Sequence, residues 1–317
     1  RVEGQKTLDY TNVINNIEDE VDKADLYDVV SRLVENESRV TGTLNCNYSA
    51  YYIKNLLEDI NISNSYYQNF PYEDNVSLNV IGYLDEPTKY CSNILIMAHY
   101  DSISTDGPAP GANDNAASVA SIIQMLKIIT ILLNYTSINK NLIVLLTSGE
   151  EEGLFGSRAW IEQNPVIVSN LDAVINFDMI GYGSYHTIIG NEDSRWLSNY
   201  ILETSMMNSV KISDSHVGYP SNGKSDHVNF MNFNIPTVWI FERDEYYYHM
   251  HKPTDTIDKV NFSLVANCVR LFTLVLYRLL TEETEIESNN ILILVVIGAI
   301  IFPLVILIIR INKKRKN

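Results

Sequence analysis

Residues 93–101 read NILIMAHYD: an unbroken apolar run of strand length that stops abruptly at a histidine and a carboxylate. Four further runs share the form, at 78–84 (LNVIGYL), 141–147 (NLIVLLT), 171–177 (LDAVINF) and 235–240 (IPTVWI). Runs this short and this continuous suit strands buried on both faces, the mark of a parallel sheet covered by helices. Helical periodicity fills the intervals at about 21–36, 48–60, 115–134, 194–208 and 260–280. The alternation predicts one α/β domain built on a largely parallel sheet covered by helices. Open sheets of this kind bind ligands at the carboxyl ends of their strands. His and acidic residues follow the runs at just those ends.

His99 and Asp101 lie two apart, so they face the same way if the strand continues. That is the placement of a metal-bound imidazole and the carboxylate that takes its other N–H. Asp114 and Asn115 open the helix at 115–134 and are of N-cap type, while Gly111 before them allows a close backbone approach. Ser148-Gly149-Glu150-Glu151-Glu152-Gly153 follows the run 141–147. Carboxylates favour a helix start, yet these sit directly behind a buried strand. Adjacent side chains diverge, so one could bind a metal and its neighbour act on a water. Asp178 ends the run 171–177, and His249 and His251 precede the last helix.

Two His and three carboxylates suit a pair of divalent ions, and mixed nitrogen and oxygen donors favour zinc over calcium or magnesium. Such a pair generates a bridging hydroxide near neutral pH and polarises a carbonyl. A Glu bound to neither ion could carry the proton to a leaving amine.

The ordered segments HYDS, PGANDNAAS, GEEEGLFGSRAW, NFDMIGY, SDHVNF with IPTVW, and HKPTDT resemble the co-catalytic di-zinc aminopeptidases. This is metallopeptidase family twenty-eight, of the aminopeptidase S and bacterial leucyl aminopeptidase type. The likeness spans residues 30 to 260 and includes Ser38–Thr43 (SRVTGT). It implies the zinc-exopeptidase fold, a three-layer αβα sandwich with a mixed, mostly parallel central sheet, and two Zn²⁺ per chain. His99 and Asp178 would share one ion, Glu151 and His251 the other, and Asp114 would bridge them. Glu150 matches the general base, with Asp101 behind His99. The spacing to Gly153-Leu154-Phe155-Gly156-Ser157 sets the register within the triple Glu. The pattern His-x-Pro-x-Asp-Thr selects His251 over His249. Ser225-Asp226-His227 matches a motif near the site whose His is not a ligand, and His186 and His216 read as ordinary residues.

Some relatives carry a Tyr directly before the last His, where it stabilises the oxyanion. Here Met250 stands in its place, leaving Tyr247, Tyr248, another donor or the zinc ions for that charge. The implied activity is hydrolysis of N-terminal peptide bonds. Carboxypeptidase, dipeptidase or glutaminyl-cyclase-like activity on the same fold is the nearest alternative. A non-catalytic surface receptor or scaffold is a reading of another class, and the complete ligand set argues against it.

The chain has 317 residues with 39 acidic and 23 basic side chains, a net −16 that argues against nucleic acid as a partner. The charge is unevenly placed. Arg310, Lys313, Lys314, Arg315 and Lys316 end the chain, and residues 1–290 carry a net −21. Between them, 291–309 (ILILVVIGAIIFPLVILII) has no charge over 19 positions. As a helix it would span roughly 28 Å, the thickness of a bilayer core, where Pro303 is tolerated. The expectation is a single-pass cell-membrane protein: an extracytoplasmic peptidase domain (1–285), a linker (286–290), a lipid-embedded helix (291–309) and a basic cytoplasmic tail (310–317). Residues 262–280 are also apolar, but Asn267, Arg270 and Arg278 suit a core helix better than a span. Cys46, Cys91 and Cys268 show no metal-like spacing, and nothing indicates an oligomeric state.

Overall fold

In a computed structural model, which describes residues 10–35, 38–62, 64–85, 92–134, 136–217, 225–242 and 246–282, all five apolar runs are strands of one eight-stranded sheet. The strands are β1 (Asn64–Tyr72), β2 (Asn75–Tyr83), β3 (Asn93–His99), β4 (Asn141–Thr147), β5 (Leu171–Phe177), β6 (His186–Gly190), β7 (Ile212–Val217) and β8 (Thr237–Glu242). Their order is β1-β2-β4-β3-β5-β8-β6-β7. The central four, β4-β3-β5-β8, pair in parallel, whereas β1, β2 and β6 bring in antiparallel pairs. The sheet is therefore mixed with a parallel centre, as expected.

Helices α1 (Thr11–Glu20), α2 (Lys23–Val34), α3 (Leu44–Asp59) and α4 (Ala117–Leu133) precede or interrupt the sheet in sequence. They are followed by α5 (Phe155–Gln163), α6 (Pro165–Val168), α7 (Arg195–Met207), α8 (His227–Met231) and α9 (Phe262–Thr281). Strand alternation assigns side chains to two cores. Ile94, Ile96 and Ala98 of β3, with Leu142, Val144 and Leu146 of β4, pack under the larger layer that holds α2, α3, α4 and α9. Leu95, Met97, Ile143 and Leu145 face the smaller layer, where Trp160, Val168 and Phe230 come from α5, α6 and α8.

α2 starts where Asp22 accepts the Ala24 N–H at 2.8 Å, and it buries Leu26, Val30 and Leu33. Ala112–Leu133, which ends in α4, and α9 are long and apolar enough to cross a bilayer, yet most of each is buried inside this domain. α9 is the core helix anticipated for 262–280, with Arg278 buried against the Thr204 hydroxyl at 2.7 Å. The span expected at 291–309 lies outside the described residues. Cys46 and Cys268 are buried and unpaired; Cys91 is not among the described residues.

Strand β1 carries no apolar run because it sits at the sheet edge and alternates exposed and covered positions (NSYYQNFPY). β6 and β7 are short and lie at the opposite margin. The run expected at 235–240 becomes a strand only from Thr237, after Pro236, which has no N–H to give a central ladder.

Candidate metal centre

The carboxyl ends of the parallel strands deliver the functional side chains. His99 is the last residue of β3, Glu150 and Glu151 follow β4, and Asp178 follows β5 directly. Asp114 comes from a kinked turn, Ala112–Ala116, that leads into α4 and in which Asp114 and Asn115 have non-helical backbone angles. His251 comes from the turn before α9, with a left-handed backbone (φ 55°).

Asp114 stands between the two histidines. Its Oδ1 lies 3.3 Å from His99 Nε2, and its Oδ2 lies 3.3 Å from His251 Nε2. Asp178 Oδ1 is 3.4 Å from His99 Nε2, and Glu151 Oε2 is 2.9 Å from His251 Nε2. A charge-assisted bond between imidazolium and carboxylate closes to about 2.7–2.9 Å, so three of these four contacts stand open. In a tetrahedral site with zinc bonds of about 2.0–2.2 Å, ligand atoms sit about 3.3–3.5 Å apart. The donors thus have both the chemistry and the spacing for zinc. They form the groups His99–Asp114–Asp178 and Asp114–Glu151–His251, which share Asp114. Glu150 lies within the same reach, grouped with His99 and Glu151.

The surroundings hold protons where cations would sit. Burial pushes Glu150 well above the usual carboxylate range, and burial with Asp114 nearby pushes Glu151 up to about 8. Burial would raise Asp114 too, but His251 and His99 hold it well below its ordinary value. Asp114 and Glu151 raise His251 to about 10. A divalent ion entering such a cluster displaces those protons.

Neighbouring polar groups fix the ligand loops. Asp101 lies 3.4 Å from His99 Nδ1, accepts the Thr41 hydroxyl at 2.9 Å, and takes the Glu150 and Glu151 N–H groups at 3.4 and 3.3 Å. Asp255 accepts the N–H groups of Asn113 (2.9 Å) and Asp114 (3.0 Å), tying the His251 turn to the Asp114 turn. Asn115 pins both flanks of Asp178, donating to Phe177 O (3.0 Å) and accepting from Met179 N–H (3.2 Å). Asn113 accepts the Gly181 N–H at 2.7 Å and donates to Glu242 at 2.7 Å. The wholly buried Arg39 donates to the carbonyls of Leu33, Tyr100, Pro110 and Gly111. A Cβ on Gly111 would fall 2.4 Å from Asp114 O, so the close approach expected there is to the site's own backbone.

The family follows from this constellation together with the chain's similarities: residues 79–276 match the model of peptidase family M28. The chain belongs to peptidase family M28. This M28 chain is 31% identical over 188 residues to a probable leucine aminopeptidase of Arthroderma otae, covering 55% of this chain and 50% of that one. It is 25% identical over 224 residues to aminopeptidase YwaD of Bacillus subtilis, covering 68% and 47%. A vacuolar membrane protease of Tuber melanosporum is 32% identical over 126 residues, 38% of this chain and 12% of that one. The chain spans about half the length of the aminopeptidase relatives it matches. Among solved structures, the Legionella pneumophila LapA aminopeptidase superposes with a TM-score of 0.76 at 20% identity, covering 90% of this chain and 79% of that one. A zinc aminopeptidase from Bacillus subtilis superposes with a TM-score of 0.72 at 15% identity, covering 83% and 96%. These likenesses establish the zinc-exopeptidase fold of this M28 chain.

All seven residues singled out from the sequence fall in this one region of the M28 domain. His249 instead contacts the Thr254 hydroxyl at 2.9 Å and joins no donor group among the described residues. Tyr247, one of the donors considered for the oxyanion, gives its hydroxyl to Asp255. Tyr248 is exposed and packs against Tyr246. Arg39, Asn113, Asn115 and Glu242 were not singled out as site residues. Their only signal is polar type inside or beside apolar segments, and their partners are remote in sequence.

His227 is fully buried and stacks on Trp239 with ring centroids 5.0 Å apart. Burial pushes it down to about 3. The unfolded chain protonates a histidine near 6.5, so between about 6.5 and 3 it binds a proton that the fold refuses. Stability is therefore lost as pH falls through that window, by up to ~1.4 kcal/mol per pH unit. Burial raises Asp226 to about 6, which acts in the opposite sense as pH falls toward about 4. His227→Phe should flatten the acid limb of the thermal midpoint relative to the parent chain. An unchanged limb would show that His227 is not its source.

Proposed function

We propose that this chain is a zinc-dependent aminopeptidase held at a membrane by its C-terminal segment. The observation that carries the reading is Asp114, which presents one carboxylate oxygen toward His99 and the other toward His251. His99 and Asp178 would hold one zinc ion, Glu151 and His251 a second, and Asp114 both. When bound, the pair supplies a water acidified toward neutral pH and a polarised peptide carbonyl.

The chain's own residues do the rest. Glu150, buried at the cavity wall, takes the proton of the attacking water on its carboxylate and returns it to the nitrogen of the departing peptide. Asp101 orients the His99 ring and holds the amides of Glu150 and Glu151, which keeps base and ligands in register. Trp239, Phe241 and Met250 line a cavity of about 650 Å³ beside the metal-binding groups and supply an apolar wall for the substrate's first side chain. The uncharged segment 291–309 and the basic residues after it support a bilayer anchor with the peptidase domain on the extracytoplasmic side. The vacuolar membrane protease relative is in keeping with a membrane setting.

The zinc-loaded protein, incubated with unblocked peptides and followed by mass spectrometry, should release residues one at a time from the N-terminus. Release from the C-terminus, ammonia loss from N-terminal glutamine, or no turnover at all would contradict the assignment.

A further inference from the structure

The cavity beside the metal-binding groups is lined by Asp114, Glu150, Glu151, Asp178, Glu242 and His251 together with apolar side chains; among the described residues it presents no Lys or Arg. Five of these charged groups already have a task in the proposed reaction. Glu242 does not. It ends β8, at the same carboxyl edge of the sheet that supplies His99 and Asp178. Its side chain is buried, with Oε1 held by the Asn113 amide at 2.7 Å, so it is fixed to the turn that presents Asp114. Its Oε2 is buried with no hydrogen-bond partner among the described residues. A buried carboxylate oxygen without a donor is costly, and a charged donor arriving from the substrate would remove that cost.

We infer that Glu242 receives the α-ammonium group of the substrate, and so makes the site select free N-termini. The inference rests on the aminopeptidase reading and sharpens it. Three ligand carboxylates and a hydroxide balance two divalent ions, so the metal centre brings no net attraction for a cation. An ammonium group beside it needs an anion of its own, and among the described lining residues Glu242 is the one left over. A carboxypeptidase would need the opposite: a cation to take the substrate's terminal carboxylate, commonly a bidentate Arg. The cavity's described lining supplies none.

The test compares leucine p-nitroanilide with its 2-hydroxy analogue, in which a hydroxyl replaces the ammonium group. Both the parent protein and Glu242→Gln are assayed with zinc loaded. Glutamine keeps an acceptor for Asn113, and thermal melts check that the variant folds. The parent should prefer the ammonium substrate by roughly 10- to 100-fold in kcat/KM, the range of a charged hydrogen bond. In Glu242→Gln the preference should fall to within a few-fold, mainly through KM. Calorimetric binding of 3-methylbutylamine, which is not hydrolysed, should weaken by a similar factor. A preference retained in the variant, or absent from the parent, overturns the role of Glu242 while N-terminal trimming still stands. A parent protein that ignores free-amine peptides and cleaves N-acetylated ones overturns both readings.

Discussion

Glu150→Gln is expected to lower kcat by roughly 100- to 10,000-fold while zinc content and KM stay close to those of the parent protein. The range is that of a positioned general base removed from a proton transfer. Glutamine fills the space of glutamate but cannot take a proton from water. Glu150 is well suited to the task by its surroundings. It sits three residues beyond the end of β4, lies within reach of His99 and Glu151, and lines the open cavity. Burial raises its proton affinity, and Asp101 secures the backbone of Glu150 and of Glu151 beside it. Steady-state kinetics with zinc measured by atomic absorption checks the prediction. A loss smaller than tenfold would remove Glu150 from the chemistry, and a parallel loss of zinc would make it a ligand instead.

Asp114→Asn should be as damaging by another route. The carboxylate offers an anionic oxygen on each side, 3.3 Å from each of the two histidines. An asparagine has one carbonyl oxygen and turns an NH₂ group toward the other histidine. The expected result is at most one tightly held zinc per chain and an activity loss of more than about 100-fold, since even the partners behind a ligand are worth 10- to 100-fold. Metal removal acts on stability as well. An ion that binds only the folded chain stabilises it by about 4 kcal/mol at a thousandfold excess over its dissociation constant. A chelator should therefore lower the thermal midpoint of the parent protein, and zinc should restore it. In Asp114→Asn the shift should shrink. A variant that binds two zinc ions as tightly as the parent would exclude the bridge.

The sequence made the parallel centre of the sheet legible because β3, β4 and β5 are buried on both faces and leave unbroken apolar runs. The edge strand β1 left no such run, since half of it meets solvent. His99, Glu150, Glu151 and Asp178 were visible because they follow apolar runs at strand ends, whereas Asp114 and His251 sit in turns before helices and stood out by their motifs. The N-cap expected at Asp114 and Asn115 was too local a reading. Asp114 lies in a distorted turn with non-helical backbone angles, and Asn115 is spent on Phe177 and Met179 some sixty residues away. Arg39 shows the same limit, for its carbonyl partners at Tyr100, Pro110 and Gly111 meet it only through the fold. Glu242 reads in sequence as one more charge after a strand. Its meaning lies in a buried oxygen that has no hydrogen-bond partner among the described residues.

The central claim is that one carboxylate, Asp114, is shared by two zinc ions. Anomalous scattering from crystals of the zinc-loaded protein tests it most directly. The prediction is two zinc peaks, one beside each oxygen of Asp114, the first also touching His99 and Asp178 and the second Glu151 and His251. A single peak, or two peaks of which only one touches Asp114, would contradict it.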